Sequence, residues 1–228
     1  MQILFLAKKT NWCNMAKDFL ERNFDKVISY QGDYGKKIPI TSNEWHGDYI
    51  ISFLSPWIVS EDLLNNTRKK ALNFHPGTPK YGGIGCYNFA IYNEEKEYGV
   101  MCHEMEKKVD SGKIIKVKKF PIEKDETVLS LKERSMKNLL DLFYEITDLI
   151  KKGKDLPISK ELWGRKPYTQ KDLQNLCKIT LDMSETEMLK RIRATYYPGG
   201  PDFPYIKVAD KKITLKETSI DELEDPSL

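Results

Sequence analysis

Short apolar runs alternate with helical patterns in the first half of the chain. Residues 3–7 and 49–54 form continuous apolar runs, which are typical of strands buried on both faces of a parallel sheet. Residues 26–30 and 70–74 predict two further strands, and a helical pattern fills residues 13–23. Strands that alternate with helices in this way predict an α/β fold with a doubly wound, mostly parallel, Rossmann-like sheet.

Longer elements follow in the second half. Residues 99–105 and 113–121 predict two more strands, and residues 128–152 predict the longest helix, which has one apolar face. The pattern changes after this helix, where loops rich in proline and glycine begin. We therefore expect two parts, a catalytic domain over residues 1–155 and a smaller extension over residues 156–228.

The extension predicts a helix and a hairpin. Ser184 and Glu187 have the spacing of a capping box, so a helix is expected from there to about Tyr196. Residues 205–209 and 212–216 predict the two strands of a β-hairpin. The expected architecture is therefore the α/β sheet with a small C-terminal helix and β-hairpin appendage.

Composition and charge narrow the function classes. The 228 residues are 40% hydrophobic and 31% charged, which suits a soluble globular protein, and a net charge of +3 argues against a nucleic-acid surface. The first residues lack the basic lead of a signal peptide, and no apolar run approaches the ~20 residues of a membrane span. The four cysteines show no C-x-x-C spacing, so we expect a reduced, cytoplasmic protein without a metal site.

Two short motifs contain the candidate chemistry. The first is Asn-Phe-His-Pro-Gly at residues 73–77, and the second is Asp-Ser-Gly at residues 110–112. Alternation along a strand points Asn73 and His75 to the same face, at the carboxyl end where open α/β sheets bind ligands. Asp110 precedes another apolar strand, where its carboxylate can orient the imidazole and stabilise it when it takes a proton.

The individual residues also have simpler interpretations. Taken alone, His75 fits a packed histidine, and Asp110 fits a turn former before Gly112. Of the two other histidines, His46 lies in a polar loop. His103 follows the alternation of its strand, and we expect it near the candidate site but not in it.

The two motifs resemble the signatures of the formyltransferases that use 10-formyltetrahydrofolate. In that family an Asn-x-His-Pro segment and a later Asp-x-Gly segment supply the catalytic trio, and the matching residues here are Asn73, His75 and Asp110. Residues 98–115 also resemble the family's second signature, and the resemblance runs from the first strand to about residue 120. It implies a one-carbon N-formyltransferase with 10-formyltetrahydrofolate as co-substrate and no metal.

The resemblance also implies a folate pocket. Relatives build it from the segment after the third strand and from the segment that ends at the catalytic aspartate. The matching candidates in this chain are Phe53, Leu54, Trp57, Ile58, Met105 and Lys108. Their apolar identity alone does not separate a pocket from the core.

Further residues are candidates for contacts with the acceptor substrate. The family often has a basic residue after the catalytic loop, so Lys80 is a candidate for a substrate phosphate, although an ordinary surface lysine fits equally well. The late aromatic and basic residues can stack on a base or meet a pyrophosphate, or simply pack in loops. The full set of substrate candidates is Asn11, Lys80, Tyr81, Trp163, Arg165 and Tyr197.

The short C-terminal segment is similar to that of bacterial sugar N-formyltransferases. The resemblance implies an acceptor amine on a nucleoside-diphosphate-linked dideoxy amino sugar, most commonly carried on dTDP. It further implies a homodimer and a place in surface polysaccharide synthesis, such as O-antigen or lipopolysaccharide. The alternatives are another acceptor, glycinamide ribonucleotide or methionyl-tRNA, or a non-catalytic folate- or nucleotide-binding module. The near-neutral charge and the absence of a larger barrel weigh against tRNA.

Overall fold

A six-stranded mixed sheet forms the centre of the molecule. The computed structural model describes residues 1–164, 166–198 and 203–215. The strands of the sheet are β1 (Gln2–Lys8), β2 (Lys26–Gly32), β3 (Tyr49–Phe53), β4 (Lys70–His75), β5 (Glu97–Glu104) and β6 (Ile114–Pro121). Their order is β2-β1-β3-β4-β5-β6, in which β1 to β4 pair in parallel and β5 pairs antiparallel with both neighbours. The predicted α/β fold with a mostly parallel sheet is confirmed.

Helices cover the sheet and complete the core. They are α1 (Asn11–Asn23), α2 (Glu61–Asn65), α3 (Cys86–Tyr92), α4 (Val128–Lys151), α5 (Gln170–Cys177) and α6 (Glu185–Thr195). The predicted long helix is α4, which begins after the side-chain cap of Thr127. Phe143 of α4 lies at the centre of the main core, with its ring centroid 5.1 Å from that of Phe74 and 5.3 Å from that of Phe53.

The strand order places a crevice at one edge of the sheet. The chain runs from β1 outward to β2 and then returns to β3 on the other side of β1. The carboxyl ends of β1, β3 and β4 therefore meet beside this change of direction, which is where open α/β sheets bind ligands.

The C-terminal extension contains more regular structure than the sequence predicts. A second, three-stranded sheet consists of β7 (Lys178–Ile179), β8 (Tyr205–Val208) and β9 (Lys211–Thr214). The predicted hairpin is β8 and β9, but the strands are shorter than predicted, and α5 and β7 were not predicted.

The predicted capping box at the start of α6 is only half formed. The Ser184 side chain accepts a hydrogen bond from the Glu187 amide, at 3.2 Å. The Glu187 carboxylate does not turn back to the cap, and it accepts a hydrogen bond from the Tyr92 hydroxyl at 2.9 Å. The α6 helix is thereby joined to α3 of the first part.

The extension shares a core with the first part of the chain. A second apolar cluster combines Tyr81 and Phe89 with Tyr168, Leu176 and Ala194. The Tyr168 ring stacks on Phe89 with a centroid separation of 3.6 Å and an angle of 12°. The predicted boundary near residue 155 stays a prediction. Within the described ranges, no helix has both the length and the apolar character to cross a lipid bilayer.

Candidate active site

Strand β4 directs Asn73 and His75 into a cavity of about 350 Å³ at the carboxyl edge of the sheet. The side chain of Phe74, between them, points to the opposite face and packs against Phe143 in the core. The prediction that Asn73 and His75 share one face is therefore met by the structure. Pro76 ends the strand and also lines the cavity.

The His75 imidazole is buried and held by one backbone contact. Its Nε2 atom lies 3.2 Å from the Tyr81 carbonyl oxygen, so Nε2 donates and, in the neutral ring, Nδ1 has the lone pair. Burial lowers the pKa of His75 below its usual value, although the charge of Asp110 opposes this effect. A Cβ atom on Gly77 would lie 2.9 Å from Nε2, so the glycine of the first motif leaves room for this contact.

Asp110 lines the same cavity in a constrained conformation. Its φ of 49° lies in the left-handed region, which non-glycine residues adopt rarely and often at functional sites. The Gly83 amide donates a hydrogen bond to Oδ2 at 2.9 Å, and Oδ1 lies 3.5 Å from Nε2 of His103. Burial raises the pKa of Asp110, but the hydrogen bond that His103 donates when protonated, the charges of the two protonated imidazoles and the Gly83 amide outweigh it and lower the pKa to about 2. Asp110 is therefore ionised at neutral pH.

His103 lies in the site, and the prediction that it lies outside is wrong. Its side chain is 2% exposed and lines the cavity. Nε2 is 3.0 Å from Asn73 Nδ2, and Nδ1 is 2.8 Å from the Glu104 carbonyl oxygen. The histidine partner of Asp110 is thus His103, whereas the sequence suggested His75, which Asp110 influences through its charge.

A polar row crosses three strands of the sheet at this position. Ser52 on β3 is the direct cross-strand neighbour of Asn73 on β4, and Asn73 is the direct neighbour of His103 on β5. The Ser52 hydroxyl donates a hydrogen bond of 2.7 Å to Asn73 Oδ1. Sequence reasoning missed Ser52, because only the strand register places it beside Asn73.

Most of the predicted folate-pocket residues line the cavity. They are Leu54, Trp57, Ile58, Met105 and Lys108. The exception is Phe53, which is fully buried on the other face of the sheet, with its ring near Phe143 in the core. The prediction for the Phe53 side chain is therefore wrong. Successive side chains of a strand point to opposite faces of the sheet, and the side chain of Phe53 points away from the cavity.

The structure places Lys80 and Tyr81 on a second cavity of about 570 Å³, apart from Asn73 and Asp110. Lys80 forms an ion pair with Glu95, and the buried Tyr81 hydroxyl donates a hydrogen bond of 2.6 Å to the same carboxylate. Only the backbone oxygen of Tyr81 reaches the site, through its contact with His75.

Trp163 joins the extension to the candidate site. Its Nε1 donates a hydrogen bond of 2.7 Å to the Gly112 carbonyl, and its ring meets His103 edge to face with centroids 5.0 Å apart. A Cβ atom on Gly112 would lie 2.0 Å from the Glu104 carbonyl oxygen, so the loop needs glycine there. Trp163 thereby supports His103 and the loop that contains Asp110.

The other substrate candidates lie apart from this group. Asn11 is the exposed first residue of α1. The Tyr197 hydroxyl accepts a hydrogen bond from Lys132 on α4, and the lysine also lies over the tyrosine ring. Arg165 lies outside the described residues.

Comparison with known proteins identifies the family. Residues 26–146, more than half of the chain, match the model of a family described as formyl transferase. The chain belongs to the formyl transferase family. A methionyl-tRNA formyltransferase of Dictyoglomus thermophilum is 39% identical over 108 residues, which cover 46% of this chain and 34% of that protein. The chain therefore spans about a third or less of the length of the curated formyl transferase relatives that it matches.

Solved structures share the fold over most of the chain. A sugar N-formyltransferase from a Shewanella species superposes with a TM-score of 0.76 at 21% identity, and the match covers 96% of this chain and 98% of that one. An N-formyltransferase from Helicobacter canadensis, in complex with folinic acid and dTDP-3-aminofucose, gives a TM-score of 0.67 at 21% identity. That match covers 85% of this chain and 80% of the other. At these identities the likeness is one of fold.

Proposed function

We propose that this member of the formyl transferase family is a sugar N-formyltransferase. In the proposed reaction, the formyl group of 10-formyltetrahydrofolate moves to the amine of a nucleoside-diphosphate-linked dideoxy amino sugar, with dTDP as the carrier. The observation that supports it best is the cluster of Asn73, His75, His103 and Asp110 at one cavity. Folate or nucleotide binding alone does not need an amide, an imidazole and a buried carboxylate together.

The cavity is suited to a folate. Its volume of about 350 Å³ falls in the ordinary range for small-molecule sites. Leu54, Trp57, Ile58 and Met105 form an apolar wall, and the polar cluster lies across the same cavity. When bound, 10-formyltetrahydrofolate supplies the formyl carbon and oxygen. The apolar wall would hold the flat pteridine, and the polar cluster would face the formyl group.

Asn73 and His75 have complementary roles in the proposed transfer. The Asn73 amide, held by Ser52, can donate an N–H to the oxygen on which negative charge develops, and such a donor contributes about 3 kcal/mol. The attacking amine must lose a proton. Neutral His75 can take it at Nδ1, and its lowered pKa keeps the ring neutral near pH 7. Asp110, acting through a water molecule, is the second candidate base.

The acceptor class rests on the structural relatives. The Helicobacter canadensis protein, whose fold is shared, is described with folinic acid and dTDP-3-aminofucose bound. The Shewanella sugar enzyme shares the fold over 96% of this chain, which favours the same class of acceptor. A cytoplasmic homodimer that acts in surface polysaccharide synthesis belongs to the same proposal.

A turnover assay tests the proposal directly. The protein is incubated with 10-formyltetrahydrofolate and, separately, a panel of dTDP-linked amino sugars, glycinamide ribonucleotide and methionyl-tRNA, and mass spectrometry follows the gain of a formyl group. A gain on an amino-sugar nucleotide supports the proposal. Transfer to methionyl-tRNA, which the 39% identical relative favours, would keep the assignment of the catalytic residues and change the acceptor. Transfer to glycinamide ribonucleotide would have the same meaning. Folate binding without any transfer favours the binding module.

Lys80 provides a test of the acceptor phosphate site. If Lys80 binds the substrate phosphate, Lys80→Ala should raise the KM for the sugar nucleotide several-fold and leave the KM for the folate unchanged, because the ammonium group acts as a point charge. Steady-state kinetics, with each substrate varied in turn, measures the two KM values. Lys119→Ala is a matched control, since Lys119 lines the same second cavity and pairs with Glu161. Equal KM values in the Lys80 variant and the wild type would contradict the assignment.

A further inference from the structure

The hydrogen-bond partners of His103 determine its neutral form. Nδ1 lies 2.8 Å from the Glu104 carbonyl oxygen, which can only accept a hydrogen bond, so Nδ1 has the proton. In the neutral ring, Nε2 therefore has the lone pair and accepts from Asn73 Nδ2 at 3.0 Å. Because the ring is 2% exposed, water does not replace these partners.

The same contacts determine the direction of the Asn73 amide. Its oxygen accepts from the Ser52 hydroxyl at 2.7 Å, and one of its two N–H groups is given to His103. The second N–H remains for the cavity, which Asn73 lines. A reversed amide would instead bring its oxygen toward Nε2 of His103, and a neutral Nε2 has no hydrogen to donate to it.

Asp110 competes for the same nitrogen. Its Oδ1 atom lies 3.5 Å from Nε2, and a proton on Nε2 would be donated to this carboxylate. The protonated ring would then no longer accept from Asn73, and the amide would be free to reverse between Ser52 and His103. The uncharged Trp163 ring also faces His103, at 5.0 Å between centroids, and His75 is near enough for the charge of a protonated His103 to lower its pKa.

We propose that neutral His103 is a positioning residue that locks the Asn73 amide with an N–H toward the cavity. The inference rests on the proposed formyl transfer, in which this N–H meets the developing negative charge. It assigns to His103 a role distinct from that of His75, because His103 acts through Asn73 and its ring takes no part in moving the substrate proton.

Nuclear magnetic resonance tests the lock without any activity. The chain has three histidines, and long-range ¹H–¹⁵N spectra of the wild type, His46→Gln and His75→Gln assign each ring. At pH 7 we expect His103 as the Nδ1–H tautomer with an unprotonated Nε2. An Nε2–H tautomer or an imidazolium at pH 7 would overturn the proposal.

Kinetics of two His103 variants tests the consequence. His103→Phe keeps a flat ring but has no acceptor, and we expect a 10- to 100-fold lower kcat with both KM values within about twofold, the usual size of such supporting effects. His103→Gln places a carbonyl near the position of Nε2 and should recover most of the loss. A His103→Phe variant with wild-type kcat, or a glutamine variant no better than phenylalanine, contradicts the inference.

Two controls separate the possible failures. His46→Phe makes the same change at an exposed loop histidine and should leave kcat unchanged. Absence of transfer by the wild type would contradict the proposed function. The tautomer measurement would still decide whether His103 fixes the direction of the Asn73 amide. Transfer by the wild type with an unaffected His103→Phe variant would remove the lock alone. If His103→Phe does not fold, the tautomer measurement and the glutamine variant remain as tests.

Discussion

Replacement of His75 by glutamine should lower kcat for formyl transfer by about 100- to 10,000-fold, the range that a positioned acid or base contributes. The glutamine amide can still donate to the Tyr81 carbonyl, which His75 contacts at 3.2 Å, so the buried hydrogen bond is kept. What the variant loses is the titratable nitrogen. We therefore expect the loss in kcat with little change in the melting temperature, measured by calorimetry beside the turnover assay.

His46→Gln is the matched control for this experiment. It makes the same chemical change at an exposed histidine of a loop, and we expect wild-type kcat. Near-normal turnover of the His75 variant would contradict the assignment of His75 as a group that acts on the substrate. Loss of the folded state in that variant would instead show that the Tyr81 contact needs the imidazole.

The sequence predicted those parts of the fold whose pattern is strong over many residues. The apolar runs of β1 and β3 are buried on both faces, so they stand out without knowledge of their partners. The 24 residues of α4 repeat their apolar face over several turns. By contrast, α5 has only eight residues and β7 two, which are too short for periodicity to reveal, and β7 exists through its pairing with β8.

The site was predicted where the information is local. Asn73 and His75 are two residues apart on one strand, so alternation alone puts them on the same face. Ser52 and His103 were missed because their contacts with Asn73 depend on the register of β3 and β5 against β4. The error at Phe53 has a different cause. An apolar run does not reveal which of its residues face the cavity and which face the core.

The role of Trp163 was beyond sequence reasoning for a related reason. Its hydrogen bond reaches Gly112, 51 positions earlier in the chain, and its ring contact is with His103. A tryptophan in a proline-containing loop fits a substrate contact as well as it fits packing. Only the position of the extension against the first part distinguishes the two, and the structure favours packing that supports the site.

Asp110→Asn should reduce both activity and stability, and the two effects have different causes. Asparagine tolerates the left-handed backbone, with φ of 49°, better than alanine does, so the variant removes the charge with little added strain. We expect kcat to fall by at least about 100-fold, comparable with the loss of a stabilising group in a buried site. The lost carboxylate no longer stabilises His75 as it takes a proton.

The pH dependence of the variant follows from two pKa shifts. The charge of Asp110 raises the pKa of His75 against the larger effect of burial, so its removal lowers that pKa further. The acidic limb of any remaining kcat/KM profile that reports His75 should therefore move to lower pH. A profile that superposes on that of the wild type would contradict an electrostatic role for Asp110.

Stability should respond to the same substitution in a different pH range. The folded-state pKa of Asp110 is lowered from 3.8 to about 2, so its stabilising contribution is present above pH 4 and is lost as pH falls toward 2. Urea titration of the wild type and the variant at pH 5 and at pH 2 measures this loss, which the shift puts at about 2 kcal/mol of unfolding free energy. Asp141→Asn is the control, since this exposed carboxylate pairs with Lys118 on the surface and should contribute less than about 1 kcal/mol. An Asp110 variant as stable as the wild type at pH 5 would mean that the carboxylate gains nothing from the imidazoles and Gly83.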